Sequence, residues 1–309
     1  NQSSGYYGTE MVVFDYDNDG DNDVAYISGS DIILLTNTNN NLPITLSESV
    51  ISTTTSQNIV SLNYADFDSD GDLDIFYGDY ANSFEVIEND NGVWSKKGLI
   101  VSQAGYSGIY PYTLGLQSSD MDNDGLLDIV VTMRGTYLGK PFEVFKQTTS
   151  FVFTSYATQT SPSNISFTFR NGVGDVDMDG DNDVIYTSYR PAAIWISKNN
   201  GSSFDTPTEV SGTISQSANY DLMHFLDINL DGYTDIYLPD PNGIQTWIND
   251  GAGNLSHTTI NKITSRGRFF DINADGDIDI IGIDKYSQND NGSYQSASSM
   301  AAFAWPNNG

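Results

Sequence analysis

The chain of 309 residues has no cysteine, two histidines, and only 12 lysines and arginines against 41 acidic residues. The lack of cysteine excludes disulfides and thiolate metal sites. The net charge of −29 makes nucleic acid and anionic membrane surfaces poor partners. No stretch approaches the ~20 consecutive apolar residues of a membrane-spanning helix. With so few histidines and no nucleophile motif, the sequence offers little that indicates catalysis.

The chain does have a nine-residue acidic loop, Asp-x-Asp/Asn-x-Asp-Gly-x-x-Asp, which it repeats six times. The copies begin at Asp15, Asp66, Asp120, Asp175, Asp227 and Asp271, at intervals of 51, 54, 55, 52 and 44 residues. A period near fifty indicates a repeat architecture, and one such unit is too small to bury its own apolar face. We therefore expect the whole chain to form one domain.

Each acidic loop has the chemistry of a calcium site. Four carboxylates within nine residues repel one another unless a hard cation lies among them, and calcium accepts six to eight oxygen ligands. Gly20, the sixth residue of the first loop, provides a tight turn. The backbone carbonyl of the seventh residue is the natural fifth ligand, by analogy with calcium loops between helices. Asn229 and Asn273 replace an aspartate, so we expect weaker binding in the fifth and sixth loops.

The sequence therefore predicts about six Ca²⁺ sites, one per repeat. Their ligands, with the carbonyl donor fourth in each set, are Asp15, Asp17, Asp19, Asp21 and Asp23; Asp66, Asp68, Asp70, Asp72 and Asp74; Asp120, Asp122, Asp124, Leu126 and Asp128; Asp175, Asp177, Asp179, Asp181 and Asp183; Asp227, Asn229, Asp231, Tyr233 and Asp235; and Asp271, Asn273, Asp275, Asp277 and Asp279.

Two other interpretations of the loop are weaker. A helix-loop-helix calcium site needs a glutamate at its twelfth position, but the residues there are Tyr26, Tyr77, Val131, Tyr186, Leu238 and Gly282. A solvated turn would account for one isolated copy, because Asp and Gly are common turn residues, but not for six copies in one register. The β-branched residue after each loop indicates a strand, so each loop is predicted to be the turn of a β-hairpin.

The second repeat predicts four strands, at residues 59–66, 74–78, 84–88 and 93–100. Four short strands are the content of one propeller blade. A shared register in the third strand is predicted for Leu35, Ile87, Phe145, Trp195, Trp247 and Trp305, each followed two residues later by Asn37, Asn89, Gln147, Ser197, Asn249 and Asn307. The tryptophans favour packing between blades over a ladder for stacking sugars.

These hairpins, with a later Asn-Asp-Gly turn as at Asn249, resemble the FG-GAP/VCBS repeats of integrin α-subunit propellers and of secreted microbial proteins. The resemblance covers residues 8–309 and is nearer to the microbial branch. It implies an all-β fold, a β-propeller of six four-stranded blades (alternatively seven), with a calcium loop in the first hairpin of each blade.

The predicted repeats span residues 8–56, 57–106, 107–163, 164–216, 217–264 and 265–309 of a single domain. The last repeat is expected to end where its fourth strand should begin. Either residues 1–7 supply that strand and close the ring, or the native chain continues beyond residue 309.

Half of the 12 cations are predicted to lie in loops on the face opposite the calcium loops, where a long loop at residues 284–299 is also expected. The candidate ligand-binding residues there are Arg134, Tyr137, Lys140, Tyr189, Arg190, Arg266, Arg268, Lys285 and Tyr286. A face that gathers cations and tyrosines is typical of a binding surface, although cations also simply avoid calcium loops.

Three classes of function remain open. The first is an extracellular or cell-surface binding and adhesion module for a glycan or protein ligand. The second is a structural subunit of a surface assembly, which would involve self-assembly. The third is a polysaccharide-degrading, lyase-like enzyme, but His224 lies in a strand-like run where a structural role is favoured. Sites with about four carboxylates each, at millimolar calcium, fit the outside of a cell better than the cytosol.

Overall fold

The computed structural model describes residues 11–38, 45–54, 59–79, 83–101, 112–134, 141–158, 165–210, 212, 214–215, 223–240, 243–260, 268–270, 279–281, 285–287 and 298–299. In these residues the regular structure consists of β-strands alone. The same residues include no helix of the length and hydropathy that a membrane span requires.

The strands form six four-stranded antiparallel sheets, and in each sheet the spatial order follows the chain. The first three sheets contain β1 (Met11–Phe14), β2 (Asp23–Ser28), β3 (Asp31–Asn37) and β4 (Leu46–Thr53); β5 (Ile59–Ala65), β6 (Asp74–Asp79), β7 (Ser83–Asp90) and β8 (Val93–Val101); and β9 (Tyr112–Ser119), β10 (Asp128–Arg134), β11 (Phe142–Thr149) and β12 (Val152–Thr158).

The other three sheets contain β13 (Ser166–Gly174), β14 (Asp183–Arg190), β15 (Ala193–Ser197) and β16 (Thr208–Val210); β17 (His224–Leu226), β18 (Asp235–Leu238), β19 (Ile244–Asn249) and β20 (Leu255–Ile260); and β21 (Arg268–Phe270), β22 (Asp279–Ile281), β23 (Lys285–Ser287) and β24 (Ser298–Ser299). The four strands predicted for the second repeat are confirmed to within a few residues.

The chain divides into two compact units, residues 1–163 and 164–309. Within the first unit, β1 lies against β5 and β5 against β9, so the first strands of successive sheets are neighbours. Within the second unit, β13 lies against β17 in the same way.

Within each unit, the apolar core lies between successive sheets. In β6, Ile75 and Tyr77 pack on the first sheet, whereas Phe76 packs on the third. This division follows from the two-residue period of a strand, which directs alternate side chains to opposite faces. Because both faces of the sheet are covered, β6 is buried throughout. A short apolar run after each acidic loop is what such a strand requires.

The register of the third strand in the fourth repeat differs from the prediction. Val184 pairs with Ser197, as Ile129 pairs with Phe145 in the third repeat, so Ser197 and not Trp195 holds that position. Asn199 therefore replaces Ser197 as the polar residue two positions later. A shift of two residues leaves every side chain on the same face, so the hydrophobic pattern could not reveal it. Trp195 and Trp247 are buried, as predicted for core residues, and Trp305 lies outside the described residues.

The last repeat also differs from the prediction. Its third strand is β23, where Ser287 pairs with Ile280, and β24 is its fourth strand. The prediction of a long loop at residues 284–299 is therefore wrong. The sheet has a fourth strand that does not involve residues 1–7. Residues 1–7 and the strand predicted at residues 303–305 lie outside the described residues. The short sequence Lys285-Tyr286-Ser287 has no apolar alternation, which is why it was not recognised as a strand.

Candidate metal-binding loops

The first five acidic loops are described by the structure, and they share one backbone conformation. Their fourth residues all have a left-handed φ between 57° and 62°, at Asn18, Ser69, Asn123, Met178 and Leu230. Their sixth residues are glycines with φ between 89° and 96°. Glycine adopts this region without the Cβ clash that other residues meet, so the invariant glycine of the motif is explained by the turn. Of the sixth loop, only Asp279 lies in the described residues.

The first aspartate of each loop holds the turn through backbone N–H groups. In the first loop, Asp15 accepts hydrogen bonds from the N–H groups of Asp19 (3.1 Å) and Gly20 (2.9 Å). Asp120, Asp175 and Asp227 accept the equivalent pairs. The aspartate at the fifth position accepts a hydrogen bond from the N–H of the seventh residue, as in the 3.0 Å bond from Asp21 to Asp19. The carboxylates are therefore positioned by the backbone that they surround.

The aspartate at the ninth position of each described loop is fully buried at the start of the second strand, and we call it the bracing aspartate. In the second loop this is Asp74, whose Oδ2 accepts from the N–H of Phe67 (2.9 Å) and whose Oδ1 accepts from the N–H of Asn89 (2.9 Å). The same two bonds recur at Asp23, Asp128, Asp183 and Asp235. The residue thus joins the loop to the third strand, a structural role that the sequence analysis did not anticipate.

Burial weakens the acidity of these braces. The loss of solvent raises the pKa of Asp74 and of Asp183 to about 7 and that of Asp128 to about 6, against the lowering effect of the backbone N–H donors. Burial also raises the pKa of Asp235. A cation beside them would favour the ionised form instead.

The polar residue of the third strand connects neighbouring sheets, and we call Asn89, Gln147 and Asn249 the clamp residues. The side-chain amide of each donates to the backbone carbonyl of the second loop residue in the preceding sheet: Asn89 to Tyr16 (3.2 Å), Gln147 to Phe67 (2.8 Å) and Asn249 to Val176 (2.9 Å). Each bond lies within one of the two units. The sequence predicts the shared register of these three residues. It does not predict their hydrogen-bond partners, which lie 73 to 80 residues away in the chain.

Carboxylate oxygens converge in the loops at the distances a cation requires. One oxygen from each of three aspartates lies within 4.8 Å of the others in four loops, formed by Asp15, Asp17 and Asp19; Asp66, Asp68 and Asp70; Asp120, Asp122 and Asp128; and Asp175, Asp177 and Asp183. Buried oxygens without a hydrogen-bond partner occur on Asp21, Asp66, Asp68, Asp122 and Asp177. Buried acceptors are normally satisfied, so five such atoms in equivalent loops fit an oxygen-liganded ion.

The pKa values show the same crowding. Burial, followed by the charge of the neighbouring aspartate two residues later, raises the pKa of Asp17 and of Asp68. The pKa of Asp21 is also raised, by burial and then by the charges of Asp19 and Asp23 on either side of it. A bound divalent cation would relieve this repulsion.

Two loops carry a cation of their own. The ammonium group of Lys146 contacts Asp122 and lies 2.9 Å from Asp124 in the third loop. Lys198 lies 2.9 Å from Asp177 in the fourth loop. Hydrogen bonding to Lys146 lowers the pKa of Asp124, and bonding to Asp177 raises the pKa of Lys198. Neither lysine is among the residues that the sequence predicts for the loops.

The predicted opposite-face residues fall mainly at the ends of strands. Arg134 and Arg190 end β10 and β14, and Arg268 begins β21. Each position is at the end of its sheet remote from the acidic loop. Lys285 and Tyr286 lie in β23 and not in a loop, and Tyr189, in β14, is half-buried. Tyr137, Lys140 and Arg266 lie outside the described residues.

The histidines have structural surroundings. His224 stacks on Tyr237 with ring centroids 4.7 Å apart, and His257 packs on Trp247 and lies within hydrogen-bonding distance of Gln245 (2.9 Å).

Repeated four-stranded antiparallel sheets, with an acidic loop between the first two strands in each of the first five, define a β-propeller. The FG-GAP-like repeat model matches residues 15–77, 66–131, 175–238 and 227–282, and the chain belongs to this family. No curated protein matches the chain by sequence.

Among the solved structures that are similar to the chain, two illustrate the likeness. An Agrocybe aegerita lectin, described as recognising non-reducing terminal N-acetylglucosamine, has a TM-score of 0.64 and 16% identity and covers 95% of this chain and 81% of its own. BBS1N, in complex with ARL6DN, has a TM-score of 0.59 and 8% identity, with coverage of 94% and 81%. At such identities the likeness concerns the fold, and the predicted all-β propeller is confirmed.

Proposed function

We propose that this chain is an extracellular, calcium-stabilised β-propeller that acts as a binding module for a glycan or protein ligand. The observation that carries the calcium part is the set of buried, unpartnered carboxylate oxygens on Asp66, Asp68, Asp122 and Asp177, in loops of one conformation. The residues present fit the ion: the donors are hard oxygens, and their spacing suits a coordination sphere of 2.3–2.6 Å radius. The bound ion would supply charge neutralisation and crosslink the turn.

Several observations support the binding part. The acidic loops and the braces lie at one end of each sheet, so the other end is free of metal chemistry and can vary in sequence. Arg134, Arg190 and Arg268 lie at that other end in a protein with only 12 lysines and arginines. A lectin shares the fold, which is compatible with glycan recognition on this scaffold. A strongly acidic protein with calcium loops suits an extracellular location, where the ion is abundant.

Calorimetric titration with calcium, together with melting curves in calcium and in EDTA, tests the first part of the proposal. We expect several calcium ions per chain and a large fall in melting temperature on chelation, since a ligand that binds only the folded state stabilises it. An unchanged melting temperature in excess EDTA would contradict the calcium sites.

A glycan array, supplemented with uronate polymers and scored for both binding and cleavage in calcium, tests the second part. We expect binding without cleavage. Serine at Arg134, Arg190 and Arg268 should abolish binding and leave calcium affinity unchanged. Serine at Lys96 and Lys97, which pair with Glu85 and Glu88 on the neighbouring strand, is the control for lost positive charge. Cleavage of a polymer would instead establish an enzyme.

A further inference from the structure

The residue that precedes the polar position of the third strand differs in charge among the five described repeats, and in three of them it lies near the acidic loop. It is Thr36 in the first repeat, Glu88 in the second, Lys146 in the third, Lys198 in the fourth and Ile248 in the fifth. The two lysines are the residues whose ammonium groups contact loop carboxylates. In the second, third and fourth repeats this strand position therefore adds a charge next to the loop.

The two lysines occupy equivalent places. Both contact the Oδ2 atom of the third loop residue, Asp122 or Asp177, whose Oδ1 atom is buried without a partner. The side chains of Lys146 and Asp122 are 25% and 11% exposed, so the ion pair is partly withdrawn from solvent. An ammonium in such a place offsets part of the repulsion among the loop carboxylates without any metal.

We infer that Lys146 and Lys198 are affinity-determining residues that make the third and fourth loops weak, partly self-neutralised calcium sites. The inference rests on the proposed calcium binding. A lysine ammonium that contacts a metal-binding carboxylate repels a divalent cation at the same site. Either this repulsion persists when the ion binds or the lysine must move away, and both lower the calcium affinity. Because Oδ1 of Asp122 and of Asp177 stays unpartnered, the ion keeps a ligand there, so binding is weakened and not abolished.

The second repeat provides the contrast. Glu88 adds a carboxylate beside Asp68 and contributes to the rise in its pKa, and it is itself paired with Lys97 at 2.5 Å on the fourth strand. No described lysine ion pair reaches the carboxylates of the second loop itself. The first, second and fifth loops therefore depend on a metal ion for neutralisation, whereas the third and fourth retain a neutralising group after chelation. Calcium then stabilises the repeats unequally.

The test is the double substitution Lys146→Met and Lys198→Met in the full chain, because methionine keeps an apolar stem of similar length and removes the charge. Calcium titration should show two sites whose affinity rises by about tenfold or more. In EDTA the melting temperature should fall relative to the parent, since the loop carboxylates lose their internal counter-charge. In saturating calcium it should be equal or higher.

Two controls make the outcome specific. Lys96→Met removes a cation that pairs with Glu85 away from the acidic loops, and it should leave calcium affinity unchanged. Lys146→Arg with Lys198→Arg keeps the charge and should behave like the parent. Unchanged or weaker calcium binding in the methionine variant of a parent that does bind calcium would overturn the inference. A parent without calcium binding would instead contradict the proposed function.

Discussion

The side-chain amide of Asn249 donates a 2.9 Å hydrogen bond to the backbone carbonyl of Val176, in the loop of the preceding sheet. The backbone N–H of Asn249 donates to Asp235 (2.7 Å), the bracing aspartate of its own loop. Val176 in turn donates its N–H to Asp183 (3.0 Å). A continuous path of hydrogen bonds therefore joins two acidic loops within one unit. Asn89 forms the equivalent path between Asp74 and Asp23 through Tyr16.

Replacement of a clamp residue should destabilise the fold. Asn249→Leu removes the donor to Val176 and leaves a buried carbonyl unsatisfied, which costs about 1–3 kcal/mol of unfolding free energy. Denaturant unfolding in calcium measures the loss. Asn254→Ala is the control, because Asn254 is exposed and its side chain bonds to Asp250 in the same turn, so its cost should be about 0.5 kcal/mol. Equal losses in the two variants would show that the clamp bond is unimportant.

The ninth loop position should act as a brace as well as a ligand, whereas the third should act as a ligand alone. Asp183→Asn introduces an amide NH₂ opposite the N–H of Val176 or of Asn199, and it should destabilise the protein by about 2–4 kcal/mol even in EDTA. Asp177→Asn should lower calcium affinity yet change stability in EDTA little. Melting curves and calcium titrations of both variants decide the matter. If the Asp183→Asn variant has the same melting temperature as the parent in EDTA, the bracing role is contradicted.

The pH dependence of the metal-free protein should be opposite to that of an ordinary surface carboxylate. Burial raises the pKa of Asp74 and of Asp183 to about 7, above the value of about 4 in the unfolded chain. The folded state therefore binds more protons, and the stability from this protonation is complete below pH 4 and lost as the pH rises through about 7.

We expect the unfolding free energy in EDTA to fall between pH 5 and pH 8. In saturating calcium the ion stabilises the ionised carboxylates, so the slope should vanish or reverse. Unfolding curves at several pH values in both conditions provide the measurement. The same slope with and without calcium would contradict the assignment.

The left-handed fourth position of the loop should be improvable in the fourth and fifth repeats. Met178 and Leu230 have φ of 61° and 58°, where the first and third loops have asparagine. Because asparagine tolerates this region better, Met178→Asn and Leu230→Asn should each stabilise the protein by about 0.5–1 kcal/mol. Both side chains are 52% exposed, so little packing is lost. The reverse change, Asn123→Met, should destabilise the protein by a similar amount. Equal unfolding free energies for the parent and all three variants would refute the explanation.

The repeat, the hairpin character of the loop and the short buried strand after it are all predictable from the amino-acid sequence. These features are local: the spacing of aspartates, the glycine at the turn and the β-branched residue at Val24 or Ile75 act within a few residues. The strands of the second repeat were accordingly predicted almost to the residue.

The structural roles of the polar side chains depend instead on how the sheets pack. The partners of Asn249 and of Gln147 lie 73 and 80 residues away in the chain, and no local pattern encodes such a distance. Similarly, the role of Lys146 depends on the pairing of β10 with β11, which brings the lysine to a loop 24 residues earlier. The two-residue shift in the register of Trp195 is not visible in the hydrophobic pattern, because the side-chain period of a strand is two. Hydrogen bonding and charge across sheets are properties of the packed arrangement, and the local sequence fixes only the elements that are packed.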